Sequence, residues 1–122
     1  MRDDKRKLLQ EHLRDESTRQ KFVFSIQCEE CGFIQRSRPV TFTKAGTWPA
    51  TEGKRLIYDK LYQREKTAAL AKALAQFAME VNVCPICGRL VCDRCFMICD
   101  DLDMCCTCAQ QLKEQGESFA KG

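Results

Sequence analysis

Eight of the ten cysteines in this chain of 122 residues form four Cys-x-x-Cys pairs: Cys28 with Cys31, Cys84 with Cys87, Cys92 with Cys95, and Cys105 with Cys108. Two intervening residues let one tight turn aim both sulfurs at a tetrahedral ion at about 2.3 Å, while amides of the turn donate to the thiolates. One such pair means little, because Cys-x-x-Cys also serves thiol exchange. Four pairs more naturally chelate. Gly32 and Gly88 each directly follow a pair, where a residue free to take positive φ lets the chain turn back. The eight thiols therefore predict two closed, structural four-cysteine sites holding two zinc ions, since a catalytic zinc keeps one position open.

Little else in the sequence could do chemistry. His12 is the only histidine and lies in a charged stretch, so a Cys-His or Ser-His pair has no second candidate. Cys28 and Glu30 mimic half of a zinc deaminase signature, but no later Cys-x-x-Cys pair is preceded by the proline of its second half. Asp100, Asp101 and Asp103 lack the glycine and distal glutamate of a calcium loop and read as acidic surface, with Asp103 able to start a closing helix. Cys99 and Cys106 are left over: they could be alternative ligands or redox-sensitive thiols, and the favoured reading is small buried residues. The expectation is a protein that binds and does not catalyse.

The run CPICGRLVCDRCF from Cys84 to Phe96, followed by CCTC, resembles the central pattern of FYVE-type zinc fingers. There two Cys-x-x-Cys pairs lie four residues apart, Gly follows the first, and a last pair precedes a helix. That resemblance implies a treble-clef-like cross-brace, in which Cys28, Cys31, Cys92 and Cys95 share one zinc and Cys84, Cys87, Cys105 and Cys108 the other. Phosphoinositide-binding members carry a basic, His-containing patch before the second pair. Here Val81, Asn82 and Val83 stand there, so lipid binding is not implied. The 52 residues between Cys31 and Cys84 are also a far larger insert than the family pattern holds. A zinc ribbon competes, in which the two knuckles followed by glycine pair together and Cys92, Cys95, Cys105 and Cys108 make the other site.

Charge is unevenly placed. Arg36 to Lys72 holds nine basic and three acidic residues, whereas Cys84 to Glu117 holds three basic and six acidic. The formal charge of +3 counts cysteines as neutral; two zinc ions, each bound by four thiolates, bring it to about −1. That weakens the nucleic-acid reading, although Arg36, Arg38, Lys44, Lys54, Arg55, Lys60, Arg64 and Lys66, with Phe42 and Trp48 among them, could present a basic, stacking surface. The charged first twenty residues lack the apolar core of a signal peptide, and no run spans a bilayer, so the expected location is the reducing cytoplasm.

The elements that must position these thiols follow from periodicity. Residues 1–20 read as a charged N-terminal helix from Asp3 to about Arg19, with Leu8, Leu9 and Leu13 at helical spacing. Residues 21–122 read as one zinc-binding domain. Its first strand, Lys21 to Gln27, places Phe22, Phe24 and Ile26 on one face, and further strands are expected over Phe33–Ser37 and Val40–Thr43. A helix of roughly 42 Å is predicted over 54–81, between the knuckles, with a short closing helix at Ala109–Gln115 stopped by Gly116. Between Ala68 and Met79 only Lys72 and Gln76 are polar, which predicts burial on several sides. Leu70, Leu74, Phe77 and Val81 form one row and Ala68, Ala71, Ala75 and Ala78 another, offering more apolar surface than the strands, Phe33 included, can cover. The predicted class is α+β: a small zinc-stabilised domain with short antiparallel strands, one long inserted helix and a treble-clef-like C-terminal lobe. The expected function is a protein-protein adaptor or assembly subunit, with self-association or a protein partner through helix 54–81.

Overall fold

The computed structural model describes residues 3–98 and 102–115. Helix α1 spans Asp3–His12 and stops well before Arg19. The cause is local competition for the backbone. The Asp15 carboxylate accepts from the Ser17 amide at 2.9 Å, and Thr18 Oγ1 accepts from the Gln20 and Lys21 amides at 3.2 Å. Strand β1 (Arg14–Asp15) then pairs with β3 (Phe24–Gln27). Leu9 is fully buried, and Lys5 Nζ donates to the Ala78 carbonyl at 2.9 Å, so α1 lies on the long helix.

The expected strand at 21–27 divides at Val23. Strand β2 (Lys21–Phe22) pairs with β5 (Val40–Thr41), and β3 with both β1 and β4 (Ile34–Arg36) in a three-stranded antiparallel sheet. Phe22, Phe24 and Ile26 are all buried, and so is Ser25 between the last two. Phe42 is buried too and is unavailable for stacking on a base. Its ring centroid lies 5.9, 5.3 and 5.2 Å from those of Phe22, Tyr58 and Tyr62, in edge-to-face contacts. Phe33 covers neither helix row: it is partly exposed, with the Arg94 guanidinium 4.7 Å over its ring.

Helix α2 spans Glu52–Glu80 and begins two residues earlier than Lys54, because Thr51 in extended conformation caps it, accepting from the Lys54 amide at 3.2 Å. It ends where Val81 turns into strand β6 (Val81–Val83). The second half is buried on one side, not on several. Ala69, Ala73, Leu74 and Phe77 join Leu9, Phe22, Phe24, Ile26, Phe42, Val81 and Leu90 in the main core, and Leu70 and Ala78 are half-buried. Ala68, Ala71, Ala75 and Met79 are exposed. Lys72 is exposed, while the half-buried Gln76 accepts from the Arg38 amide at 3.0 Å and donates to Glu80 at 3.1 Å beside the turn after β4.

After β6 come the second knuckle, β7 (Leu90–Cys92) paired antiparallel with β6, a 3₁₀ turn at Asp93–Cys95, and the β8–β9 pair (Phe96–Met97 with Met104–Cys105). Helix α3 (Cys106–Gln115) starts three residues before Ala109. Strand β9 lies between Asp103 and the start of α3. Cys99, Asp100, Asp101 and Gly116 lie outside the described residues. The architecture is α+β, with short antiparallel strands, one long helix, and a lobe built around cysteines. No described helix is long and apolar enough to cross a membrane.

Candidate metal centres

Two groups of four sulfurs form: Cys28, Cys31, Cys92 and Cys95 in one, and Cys84, Cys87, Cys105 and Cys108 in the other, all Sγ atoms of a group within 4.8 Å of one another. Pairs one and three combine, and pairs two and four, which rules out the sequential ribbon arrangement. Bonds of about 2.3 Å to a tetrahedral ion would put sulfurs about 3.8 Å apart. Cys31 to Cys92 and Cys92 to Cys95 are 3.7 Å apart, Cys87 to Cys105 is 3.7 Å, and Cys84 to Cys108 is 3.8 Å. The donor sets fit four-coordinate metal ions, and each group could hold one.

The two knuckles repeat one local design. The Cys28 amide donates to the Phe33 carbonyl at 2.8 Å and the Gly32 amide to the Cys28 carbonyl at 3.0 Å. Correspondingly, the Cys84 amide donates to Arg89 at 2.9 Å and the Gly88 amide to Cys84 at 2.8 Å. Closing that turn requires Gly32 at φ +79° and Gly88 at φ +77°, a region disfavoured for any residue with a Cβ.

Backbone amides point at the sulfurs. Cys28 Sγ accepts from the amides of Glu30, Cys31 and Cys92 at 3.4, 3.4 and 3.3 Å, and Cys84 Sγ accepts from Cys105 at 3.4 Å. Before any metal adds its charge, burial pushes the Cys28 thiol up, but those three amides outweigh it and hold it at about 6. Burial likewise raises Cys84, and amides of Cys105, Cys87 and Ile86 bring it down to about 6. Cys108 is pushed up to about 12, by burial and then by the neighbouring thiols of Cys105, Cys87 and Cys84, and Cys95 is raised as well. Neighbouring thiolates repel, and a shared cation is what relieves them.

The groups that link the two centres were not legible in the sequence. Glu30, between Cys28 and Cys31, pairs with Arg89 and accepts from Thr107 Oγ1. The same Arg89 donates to Cys105 Sγ at 3.6 Å and to the Glu29 carbonyl at 3.4 Å, so one guanidinium ties the first knuckle to the second centre. Nothing periodic marks Glu29, Glu30, Arg89 or Thr107; their position beside cysteines was the only signal. Cys106 belongs to neither group and is half-buried, its Sγ 3.8 Å from the Arg94 carbonyl. His12 Nε2 lies 3.5 Å from Glu29 Oε1, at the edge of the first knuckle but outside the sulfur cluster.

Compared with protein families, with curated proteins and with solved structures, the chain matches none.

Proposed function

We propose that this chain is a non-enzymatic, two-zinc module of treble-clef-like, cross-brace type that acts as an adaptor or assembly subunit, docking a protein partner on the outer face of α2. Zinc is favoured because four thiolates in tetrahedral array suit it, and because each set is closed, leaving no open position for a substrate.

The observation that carries the docking reading is a solvent-facing stripe on α2. Ala68, Ala75 and Met79 recur at intervals of seven and four, which keeps them on one side of a helix, with Ala71 beside them and Ile57 further along the same side beyond the exposed Arg64. Ile57 is 70% and Met79 86% exposed. Alanines let another helix approach closely, and large apolar ends give it something to bury.

A photo-crosslinking residue at position 75 of the zinc-loaded chain is expected to trap a protein in its own cells, and A71E/A75E to lose that partner with zinc content and Tm unchanged. Unfolding of A71E/A75E, or the same crosslinks from both chains, rejects the reading. A nucleic-acid surface has one observation in its favour, the exposed Trp48 near Lys44 and Lys54. Micromolar binding of random single-stranded oligonucleotides at physiological salt, with a steep salt slope, would put that reading first.

A further inference from the structure

The solvent-facing side of α2 is cationic as well as apolar. With about 100° of turn per residue, Lys54, Lys60, Arg64 and Lys72 fall within about 60° of Ala75, and all four are exposed. None of them has an ion-pair partner among the described residues. The acidic residues of the helix stand elsewhere. Glu52 and Asp59 fall toward the opposite side, Glu65 accepts from the Thr43 amide at 3.0 Å, and Glu80 accepts from Gln76 at 3.1 Å. The alanine stripe is thus flanked by positive charge that no described residue neutralises.

An open groove of about 630 Å³ runs beside the same stripe, lined by Ala69, Ala73, Ala75 and Met79 with Arg38 and Lys72. Arg38 is exposed and likewise has no ion-pair partner among the described residues. Glu80 reaches the groove too, but its carboxylate is engaged by Gln76. Between Arg64 and Met79 the one ring is that of Phe77, which is fully buried. Nothing there stacks on a base, and alanine methyls offer a sugar no hydrogen bond. A second copy of α2 fits no better. An antiparallel pair centred on Ala68 would set Arg64 of one copy against Lys72 of the other, a parallel pair would set each cation near its own copy, and like charges face to face are unfavourable.

Resting on the reading of this face as a docking surface, we infer that its occupant is an acidic amphipathic helix of a different protein. Its apolar side lies along Ala68, Ala71 and Ala75, one large side chain enters the groove beside Met79, and its carboxylates meet Lys60, Arg64, Lys72 and Arg38. From Lys60 to Met79 the face is about 28 Å long at a rise of about 1.5 Å per residue, room for about five turns. Because the cations flank the contact and stay near water, they act on partner choice and association rate, and the affinity falls with salt.

Fluorescence anisotropy on the full-length, zinc-loaded protein tests this with two labelled helical peptides of about five turns, which share one leucine stripe and carry glutamate or lysine on its flanks. The wild type is expected to bind the acidic peptide, roughly tenfold more weakly at high salt than at low, and to ignore the basic one. R64E/K72E changes two exposed side chains and is expected to keep its zinc and Tm, lose the acidic peptide and take up the basic one. K60Q/R64Q, which introduces no new charge, should weaken the acidic peptide alone. A wild type that binds neither peptide, or both alike, overturns the inference. So does an R64E/K72E that still prefers the acidic peptide, or a random oligonucleotide that displaces that peptide from the wild type and no longer binds R64E/K72E. In cells, the protein trapped from position 75 should be lost with R64E/K72E as with A71E/A75E. Loss with A71E/A75E only keeps the docking surface and rejects its acidic occupant, whereas a trap that survives both rejects the docking itself.

Discussion

Glu29 and Leu90 clasp one another: the Glu29 amide donates to the Leu90 carbonyl at 2.8 Å, and the Leu90 amide donates to the Glu29 carboxylate at 2.6 Å. Glu29 belongs to the first knuckle and Leu90 opens β7, which ends at Cys92. This two-way bond, with the Cys92 amide donating to Cys28 Sγ, sets the first pair of cysteines beside the third and leaves the second pair for the fourth.

Replacing Cys28, Cys31, Cys92 and Cys95 together by Ser is therefore expected to leave one tightly held zinc, and the wild type two. Native mass spectrometry checks both counts. A quadruple variant that is folded but holds no metal contradicts the cross-brace.

Glu29→Ala should strip the Leu90 amide of its side-chain acceptor. Leaving a part-buried amide unpaired costs about 1–3 kcal/mol, and the loss should be felt first where the clasp acts. Competition with a calibrated chelator is expected to empty the centre built on Cys28 before the one built on Cys84, whereas equal loss from both would disconnect the clasp from pairing.

Arg89→Met removes the guanidinium beside Cys105 while keeping much of the side chain's length. Loss of such a group around a metal site commonly weakens affinity by about 10- to 100-fold. The expected outcome is faster zinc exchange at the centre holding Cys105, read by isotope exchange, with a smaller change at the other.

Gly32→Ala and Gly88→Ala force a Cβ into left-handed backbone, at a cost of about 1–2 kcal/mol each. No atom would crowd the new methyl closer than Gln27 Nε2, 3.6 Å away at Gly32, so conformation alone carries the penalty. Matching losses in chemical denaturation are expected, and a neutral Gly88→Ala would refute the turn's requirement.

The pH dependence has a definite sign. Cys28 and Cys84 fall from 9.0 to about 6 in the folded chain, burial opposing the fall and backbone amides driving it. A depressed value favours thiolate in the fold, so that contribution is complete above the unfolded value near 9.0 and disappears as the pH falls through about 6. A bound cation pulls in the same direction. Zinc release, followed with a chromogenic indicator during acid titration, is expected to begin only below pH about 6; release already at pH 8 would contradict the amide cradle.

The sequence by itself determined the parts that depend on near neighbours. Four Cys-x-x-Cys spacings and two following glycines specify the thiol turns, because a knuckle closes within six residues. The apolar character of Phe22, Phe24 and Ile26 marks them for the core, although they fall on two strands and Ser25 between the last two is buried as well. A gap-free run of helix formers specifies most of α2. What lay beyond local reach was decided only in three dimensions. Which cysteines share a centre rests on Glu29 meeting Leu90, 61 residues apart. Which side of α2 faces water rests on Ala69, Ala73, Leu74 and Phe77 packing against Leu9, Phe22, Phe24 and Ile26, which leaves Ala68, Ala71 and Ala75 outside. Phe42 was withdrawn from the surface by rings from β2 and α2. In each case the deciding bond or contact joins residues far apart in sequence, and its energy depends on a distance that only the folded chain defines.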